Sequence, residues 1–323
     1  ASSILVCACS GPSGTEENVK TTPPATPQIS VIWETEEADY PIIDIAMGRT
    51  NPDNLFISAV LGDNRVQTFD LDGALVASSS GAIAGGLTEG APLTVSDEQF
   101  AAHLGAEGNG GVVAALVSPK LQIVASAPVE GATTMLGACK GASTTDLGAA
   151  ALISANGIEL GNVERLDDAV FFNSTHSILL SDEIKDCILV DSQSGFAATT
   201  GGMFSFSSES GVKKISPEAP RDLAVATTDA GSALLWLGQQ DGLVRVHFMD
   251  DLSAPPYEFK LQDGLTVTAP TQMTSIATIS GHVSVDYPSG LFAATGFYDD
   301  ASPRIAYASL ETILQAASAA RRD

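Results

Sequence analysis

Side chains able to do chemistry are thinly spread along this chain. Its histidines, His103, His176, His247 and His282, stand far apart and share no metal-ligand spacing. Each therefore reads as a surface or packed imidazole, not as a ligand. Ser174 and His176 lie two residues apart, on one face of an expected strand, but no acid with triad-like context accompanies them. The acid pairs Asp167-Asp168, Asp250-Asp251 and Asp299-Asp300 fall in expected turns, where solvated loop acids compete with peripheral Ca²⁺ ligation. Asp70-Leu71-Asp72-Gly73 is shorter than an EF-type loop and reads as a turn. Cys7 and Cys9 could form a soft-metal pair, but two thiols without a third ligand nearby make a poor site. Trp33 and Trp236 read as packing residues, with Trp33 a candidate interface anchor.

Fifteen Lys plus Arg against 39 Asp plus Glu give a formal charge of -24. Such a field repels nucleic acid and phosphate-rich ligands unless a cation intervenes. The 44% of apolar residues is ample for a folded core. The opening run Ile4-Leu5-Val6-Cys7-Ala8-Cys9-Ser10-Gly11 resembles the end of a bacterial lipoprotein signal. That resemblance implies residues 1–8 as residual signal peptide, cleavage before Cys9 and acylation of the Cys9 thiol. Residues 9–29, rich in Pro, Thr, Gly and Ser, suit a flexible lipidated tether. The expected location is the outer membrane of a Gram-negative bacterium, at its periplasmic face or the cell surface. In an oxidising compartment Cys139 and Cys187 favour a bridge, worth about 4 kcal/mol by loop entropy. Two buried free thiols are the other reading.

The elements that must position any site repeat. NLFISAVLGDNRVQTFDLDG, residues 54–73, holds two strands joined by Gly62-Asp63-Asn64 and closed by a second turn at Asp70–Gly73. The same order of strand, turn, strand and turn recurs at 187–206, 223–248 and 283–310, and more faintly at 112–127 and 147–163. Six units of short strands with Gly, Asp and Asn turns predict an all-β, six-bladed β-propeller over 30–323. A pair of β-sandwiches is the alternative fold. Leu310 to Ala320 is the clearest helical stretch and predicts a short amphipathic C-terminal helix.

VDYPSGLFAATGFYDDASPRIAYASLETIL resembles the last blade of the β-propeller phytases, and ADYPIIDIAMGRTNPDNLFISAVLGDNRVQTFDLDG their first. DCILVDSQSGFAATTGGMFSFSSESG and SPEAPRDLAVATTDAGSALLWLGQQDGLVRVHF resemble two further blades. Cys139 and Cys187 fall where some members carry paired cysteines. Phytases of this family are calcium-dependent phosphatases. Carboxylates lining their channel hold Ca²⁺, and the Ca²⁺ holds phosphate.

The family's ligand positions are depleted in this sequence. Its Asp-Asp before Pro is Asp39-Tyr40, its first inner-turn Lys is lost within Leu61-Gly62-Asp63-Asn64, and its Asn-Asn-Val-Asp corresponds to Ala82–Gly86. Thr133–Gly137, Thr199-Thr200 and Thr271–Ser275 stand where acidic segments are expected. Lys185-Asp186 replaces a Glu-Gly, and Ala219–Leu223 an Asp-x-Glu-Gly-Leu. The Gly, Pro and aromatic positions that serve backbone geometry remain. The resulting expectation is a non-catalytic, cofactor-free propeller that binds an outer-membrane protein, for example a TonB-dependent-type transporter, and no nucleic acid. The alternative is a calcium-dependent phytase or phosphomonoesterase with an altered metal site using turn acids such as Asp63, Asp186 and Asp222.

Overall fold

In the computed structural model the described residues are 26–322, apart from 52–53, 80–82, 96, 108–109, 119, 126–133, 142–148, 167–168 and 229–230. Cys9, residues 1–8 and most of the expected tether lie outside the described residues, as do Asp167 and Asp168.

The strands form six sheets, five of four strands and one of five. Each of the six sequence units falls in its own sheet, and the sheets are the blades of a β-propeller. The inner strands are Ile42–Asn51, Ala91–Val95, Met135–Ala138, Ile184–Leu189, Pro220–Thr228 and Gln272–Ser280, for blades 1 to 6 in chain order. Parallel bridges Gly48–Gly90 and Lys140–Ile188 join inner strands of neighbouring blades, so these strands enter the ring from the same end.

The N-terminal segment closes the ring. Gln28–Ser30 pairs in parallel with Tyr257–Gln262 at the edge of blade 5. Trp33–Glu34 then pairs with Ile305–Ser309 as the outer strand of blade 6, before the chain enters blade 1. The folded domain thus begins by Gln28, inside the segment expected to be tether. Closing the last blade with a strand from the start of the chain leaves the ring without a free seam.

Six buried apolar clusters occupy the six blade interfaces. Between blades 6 and 1, for instance, Ile45, Ile57 and Phe69 pack on Ala277, Leu291 and Tyr307. Small residues such as Ala59, Ala114, Ala151, Ala197, Ala224 and Ala293 are buried within the blades. Their size lets neighbouring sheets approach closely. Helix Leu310–Ala320 starts at Ser309, whose hydroxyl accepts the Thr312 N–H at 3.2 Å. It buries Leu310, Ile313, Leu314 and Ala317 against the core shared by blades 5 and 6.

Cys139 and Cys187 form a disulfide that ties blade 3 to blade 4, and both are fully buried. Because it closes a loop of sequence separation 48, Cys139→Ala/Cys187→Ala is expected to lower the unfolding free energy by about 2–4 kcal/mol. Urea titration of the variant beside the parent protein checks this. Reductant should act on the folded protein no faster than it unfolds.

Candidate functional site

At the mouth of the axis five of the six inner strands are shaped by the same device. In five blades a one-residue bulge interrupts the pairing with the next strand: between Ile42 and Asp44, Met135 and Gly137, Ile184 and Asp186, Pro220 and Asp222, and Met273 and Ser275. A bulge re-aims the side chain that follows it. The inserted residues Ile43, Leu136 and Lys185 are exposed, and Arg221 and Thr274 are half-buried. The next residue in each strand turns to the axis: Asp44, Gly137, Asp186, Asp222 and Ser275. In blade 2 Gly86 takes the corresponding place, since a Cβ on it would meet Asp44 Oδ2 and Ala138 O.

These residues stitch each blade to the next. The Asp44 carboxylate accepts the N–H of Leu87 at 3.1 Å, and Asp186 that of Leu223 at 2.7 Å. Asp222 accepts the N–H of Ile276 at 2.6 Å, and the Ser275 hydroxyl that of Ile45 at 3.3 Å. In each case the donor is the residue following the axial position of the next blade. Gly86 and Gly137 have no side chain to do this. Three residues beyond each glycine stands a long charged side chain, Glu89 and Lys140. Glu89 accepts the Met47 N–H of blade 1 at 2.8 Å.

Lys140 is only 1% exposed and crosses the axis. Its ammonium ion-pairs with Asp222 of blade 5 and, at 2.9 Å, with Asp44 of blade 1. It also donates to Ile276 O at 3.2 Å and Ser275 Oγ at 3.4 Å in blade 6. The Lys140 backbone is held on both sides by blade 4, through Lys140 N–H to Cys187 O and Leu189 N–H to Lys140 O. The disulfide beside it therefore fixes the stem of the lysine.

Four carboxyl groups share this one ammonium, and their protons divide accordingly. Burial pushes Asp44 up against the pull of Lys140. Burial and the neighbouring Asp222 push Asp186 well above the usual carboxylate range, so it keeps its proton and donates it to Asp222. Burial outweighs the Met47 hydrogen bond and lifts Glu89 to about 8. Asp222 is held below its ordinary value: burial opposes its ionisation, but Lys140 and the Asp186 hydrogen bond overcome it. Lys140 in turn is held well above its ordinary value, because Asp222 and Asp44 outweigh the cost of burying it.

A bound Ca²⁺ needs six to eight oxygens at 2.3–2.6 Å. The axial carboxylates face one another, but the Lys140 ammonium stands among their oxygens, and two of the four hold protons. With Lys140 in place the residues do not fit a calcium ion. Among the described residues no group of three or more His, Cys, Asp or Glu could hold a metal ion.

Of the turn acids singled out from sequence, Asp186 and Asp222 do meet at the axis. Asp63 does not join them; it lies in an exposed turn paired with Arg65 at 2.6 Å. Asp250 pairs with Arg321 at 3.0 Å, and Asp300 with Arg304 at 2.9 Å, so these loop acids serve arginines. Ser174 donates to Glu159 at 2.8 Å, not to His176. Trp33 is 47% exposed, with its indole N–H on Asp72 O at 2.8 Å, whereas Trp236 is buried.

His103 is the histidine that packs most deeply, at the interface of blades 1 and 2. Its Nδ1 lies 2.8 Å from Thr88 O, a pure acceptor, so Nδ1 carries the proton and Nε2 accepts from the Ser58 hydroxyl at 3.2 Å. Burial lowers His103 to about 4 and keeps it neutral. No solvent reaches this serine–histidine pair, which is a packing element.

Reading the sequence for ligands missed Asp44, Glu89 and Lys140. A signal was available. Ile43-Asp44-Ile45, Lys185-Asp186-Cys187, Arg221-Asp222-Leu223 and Thr274-Ser275-Ile276 recur at the head of four inner strands.

Lys140→Met strands Asp222 and Asp44 without their cation, which is expected to cost about 3–5 kcal/mol. The thermal midpoint should fall by about 10 °C at neutral pH, and by less at pH 4, as scanning calorimetry at the two pH values will show. Glu89 binds its proton more tightly folded than unfolded. Its contribution is fully present below pH 4.5 and is lost as pH rises to about 8. Glu89→Gln should therefore flatten the decline of stability over that window, where each such group contributes at most about 1.4 kcal/mol per pH unit. Urea unfolding at pH 5, 6.5, 8 and 9 tests this.

No family model matches this sequence, and no curated protein matches it. Among solved structures it is similar to a calcium-binding protein, regucalcin, from Agrobacterium tumefaciens strain C58, with 11% identity and a TM-score of 0.51 over 88% of this chain and 97% of that one. It is also similar to the β-propeller domain of Cps50 (Swd1) from Myceliophthora thermophila, with 15% identity and a TM-score of 0.48 over 85% of this chain and 99% of that one. At such identities a likeness bears on the fold alone, and the propeller is read from the six sheets themselves.

Proposed function

We propose that this chain is an exported, lipid-anchored propeller of phytase-like descent whose axis has become a structural plug, and that it acts as a non-catalytic binding partner of an outer-membrane protein. The observation that carries this reading is the Lys140 ammonium lying within the axial carboxylates. Calcium-dependent phosphate chemistry needs a dication in contact with such oxygens, because only the dication reconciles an anionic channel with an anionic substrate. A single ammonium already paired with Asp222 and Asp44 has no charge left for phosphate. The alternative of an altered metal site built on Asp63, Asp186 and Asp222 is disfavoured, because Asp63 faces solvent beside Arg65.

The surface around the plug suits a docking role. Ile43 and Leu136 are 47% and 52% exposed at the rim of the mouth. Arg221 of blade 5 adds a positive charge to the same rim, while Lys185 of blade 4 is paired with Glu183 at 2.6 Å. Apolar groups beside charged ones on a rigid face are the makings of a protein interface. Cys9 would supply the membrane tether.

Incubation with phytate and millimolar Ca²⁺ is expected to release no phosphate above the calcium-only control. Release that a chelator abolishes would overturn the reading. Mass spectrometry of the mature protein from a Gram-negative host is expected to show residues 1–8 removed and Cys9 acylated. An intact N-terminus would remove the anchor from the proposal. Crosslinking in envelopes through residues placed at 43 and 136 should capture an outer-membrane barrel, and a substitution on the far end of the ring should not.

A further inference from the structure

The inner strands of blades 1 and 6 run from the mouth to the opposite end of the ring, where they finish at Asn51 and Ser280. A bulge between Arg49 and Asn51 bends the first of them just before it ends. Arg49 is half-buried there. Its Nη2 donates to Ser280 O across a long 3.4 Å. Its Nε is buried without an acceptor, and Nη1, which is not enclosed, has none among the described residues either. The Ser280 hydroxyl accepts the Thr227 N–H of blade 5 at 2.8 Å, which leaves its own hydrogen free to donate.

Three other arginines of limited exposure are held differently. Arg65 pairs with Asp39 and Asp63, Arg304 with Glu34 and Asp300, and Arg245 with Glu218, Asp241 and Glu258. A chain with 39 Asp plus Glu thus gives each of these guanidiniums two or three carboxylates. Arg49 has none among the described residues. Burial lowers it, and no neighbouring charge opposes that effect. Desolvating a cation without a counter-charge is costly, so this guanidinium is a group that an anion from outside would stabilise.

The geometry and the charge narrow what that anion is. With Nε enclosed, the accessible edge of the guanidinium is the fork of Nη1 and Nη2. Two such N–H groups match the two oxygens of a carboxylate. Phosphate would bring a second negative charge, which the field of a chain of net charge -24 opposes. A neutral amide supplies an acceptor but no counter-charge.

We propose that Arg49, with the Ser280 hydroxyl beside it, binds a single carboxylate at the end of the ring opposite the plug. The same chemistry is offered by a free small acid and by an acidic side chain of a partner. The site is remote from Lys140 and the mouth, and stands independently of the function proposed above.

Propionate titrated into the isotope-labelled full chain at low ionic strength is expected to shift the Arg49 Nε–H and Ser280 amide resonances saturably. Propionamide should give no saturable shift. Inorganic phosphate should bind at least about tenfold more weakly, which corresponds to about 1.4 kcal/mol. Arg49→Lys loses the fork and should weaken propionate by a similar factor. Arg49→Met should abolish the shift at Ser280 and keep or raise the thermal midpoint, because it removes a half-buried cation that lacks a counter-charge. An end-blocked peptide with one glutamate that binds more tightly than propionate would support the proposal and assign the site to a partner chain; a peptide that binds no more tightly would support it and assign the site to a free acid. No saturation with propionate, equal binding of propionamide or phosphate, or a Ser280 shift that survives in Arg49→Met would overturn the proposal. So would a fall in the thermal midpoint of Arg49→Met, which would show that the fold already compensates this cation.

Discussion

A lysine that crosses the axis and pairs with carboxylates from two other blades sets the conditions for everything near the mouth of this propeller. Removing water from several carboxyl groups is costly unless charge is matched and hydrogen bonds are completed. Lys140 matches Asp222 and Asp44, and protonation removes the charge from Asp186 and Glu89. The arrangement is stable as a whole and poorly tolerant of losing one member. A buried ion pair of this kind is weak grounds for added stability but specifies geometry well. Here it fixes the relative placement of blades 1, 3, 5 and 6.

The same region shows how a ring of similar sheets closes without a continuous sheet at its centre. Inner strands of neighbouring blades are nearly unpaired by backbone, with isolated bridges at Gly48–Gly90 and Lys140–Ile188. Side chains at the bulge positions take over that pairing, each accepting an N–H from the next blade. Blade 3 has glycine at this position and cannot reach blade 4 in that way. The Cys139–Cys187 disulfide joins those two blades instead. One covalent link and a series of polar ones thus serve the same mechanical purpose.

An axis filled by the protein's own cation leaves the rim of the mouth as the exposed part of that end of the ring. The rim presents Ile43 and Leu136 beside Lys185 and Arg221, because the bulges turn these residues outward as they turn their neighbours inward.

The sequence by itself determined the architecture. Alternating short strands with Gly, Asp and Asn turns can bury their apolar faces only by stacking, and six such units close a ring. The C-terminal helix was legible from Leu310, Ile313, Leu314 and Ala317, whose spacing places them on one face. The bridge between Cys139 and Cys187 was favoured by the even cysteine count, but two free thiols fitted the same sequence until the blades brought the sulfurs together. What the axis contains was decided by tertiary structure alone. Asp63 and Asp186 both read as turn acids, yet one faces solvent and the other is desolvated, because only the latter follows a bulge at the head of an inner strand. Nothing in the residues around Lys140 marked it for burial. Its burial depends on carboxylates contributed by residues 96 positions before and 82 positions after it, and on a ring narrow enough for one side chain to span. Charge pairing over such separations leaves no periodic trace along the chain, and closure of the ring is what creates it.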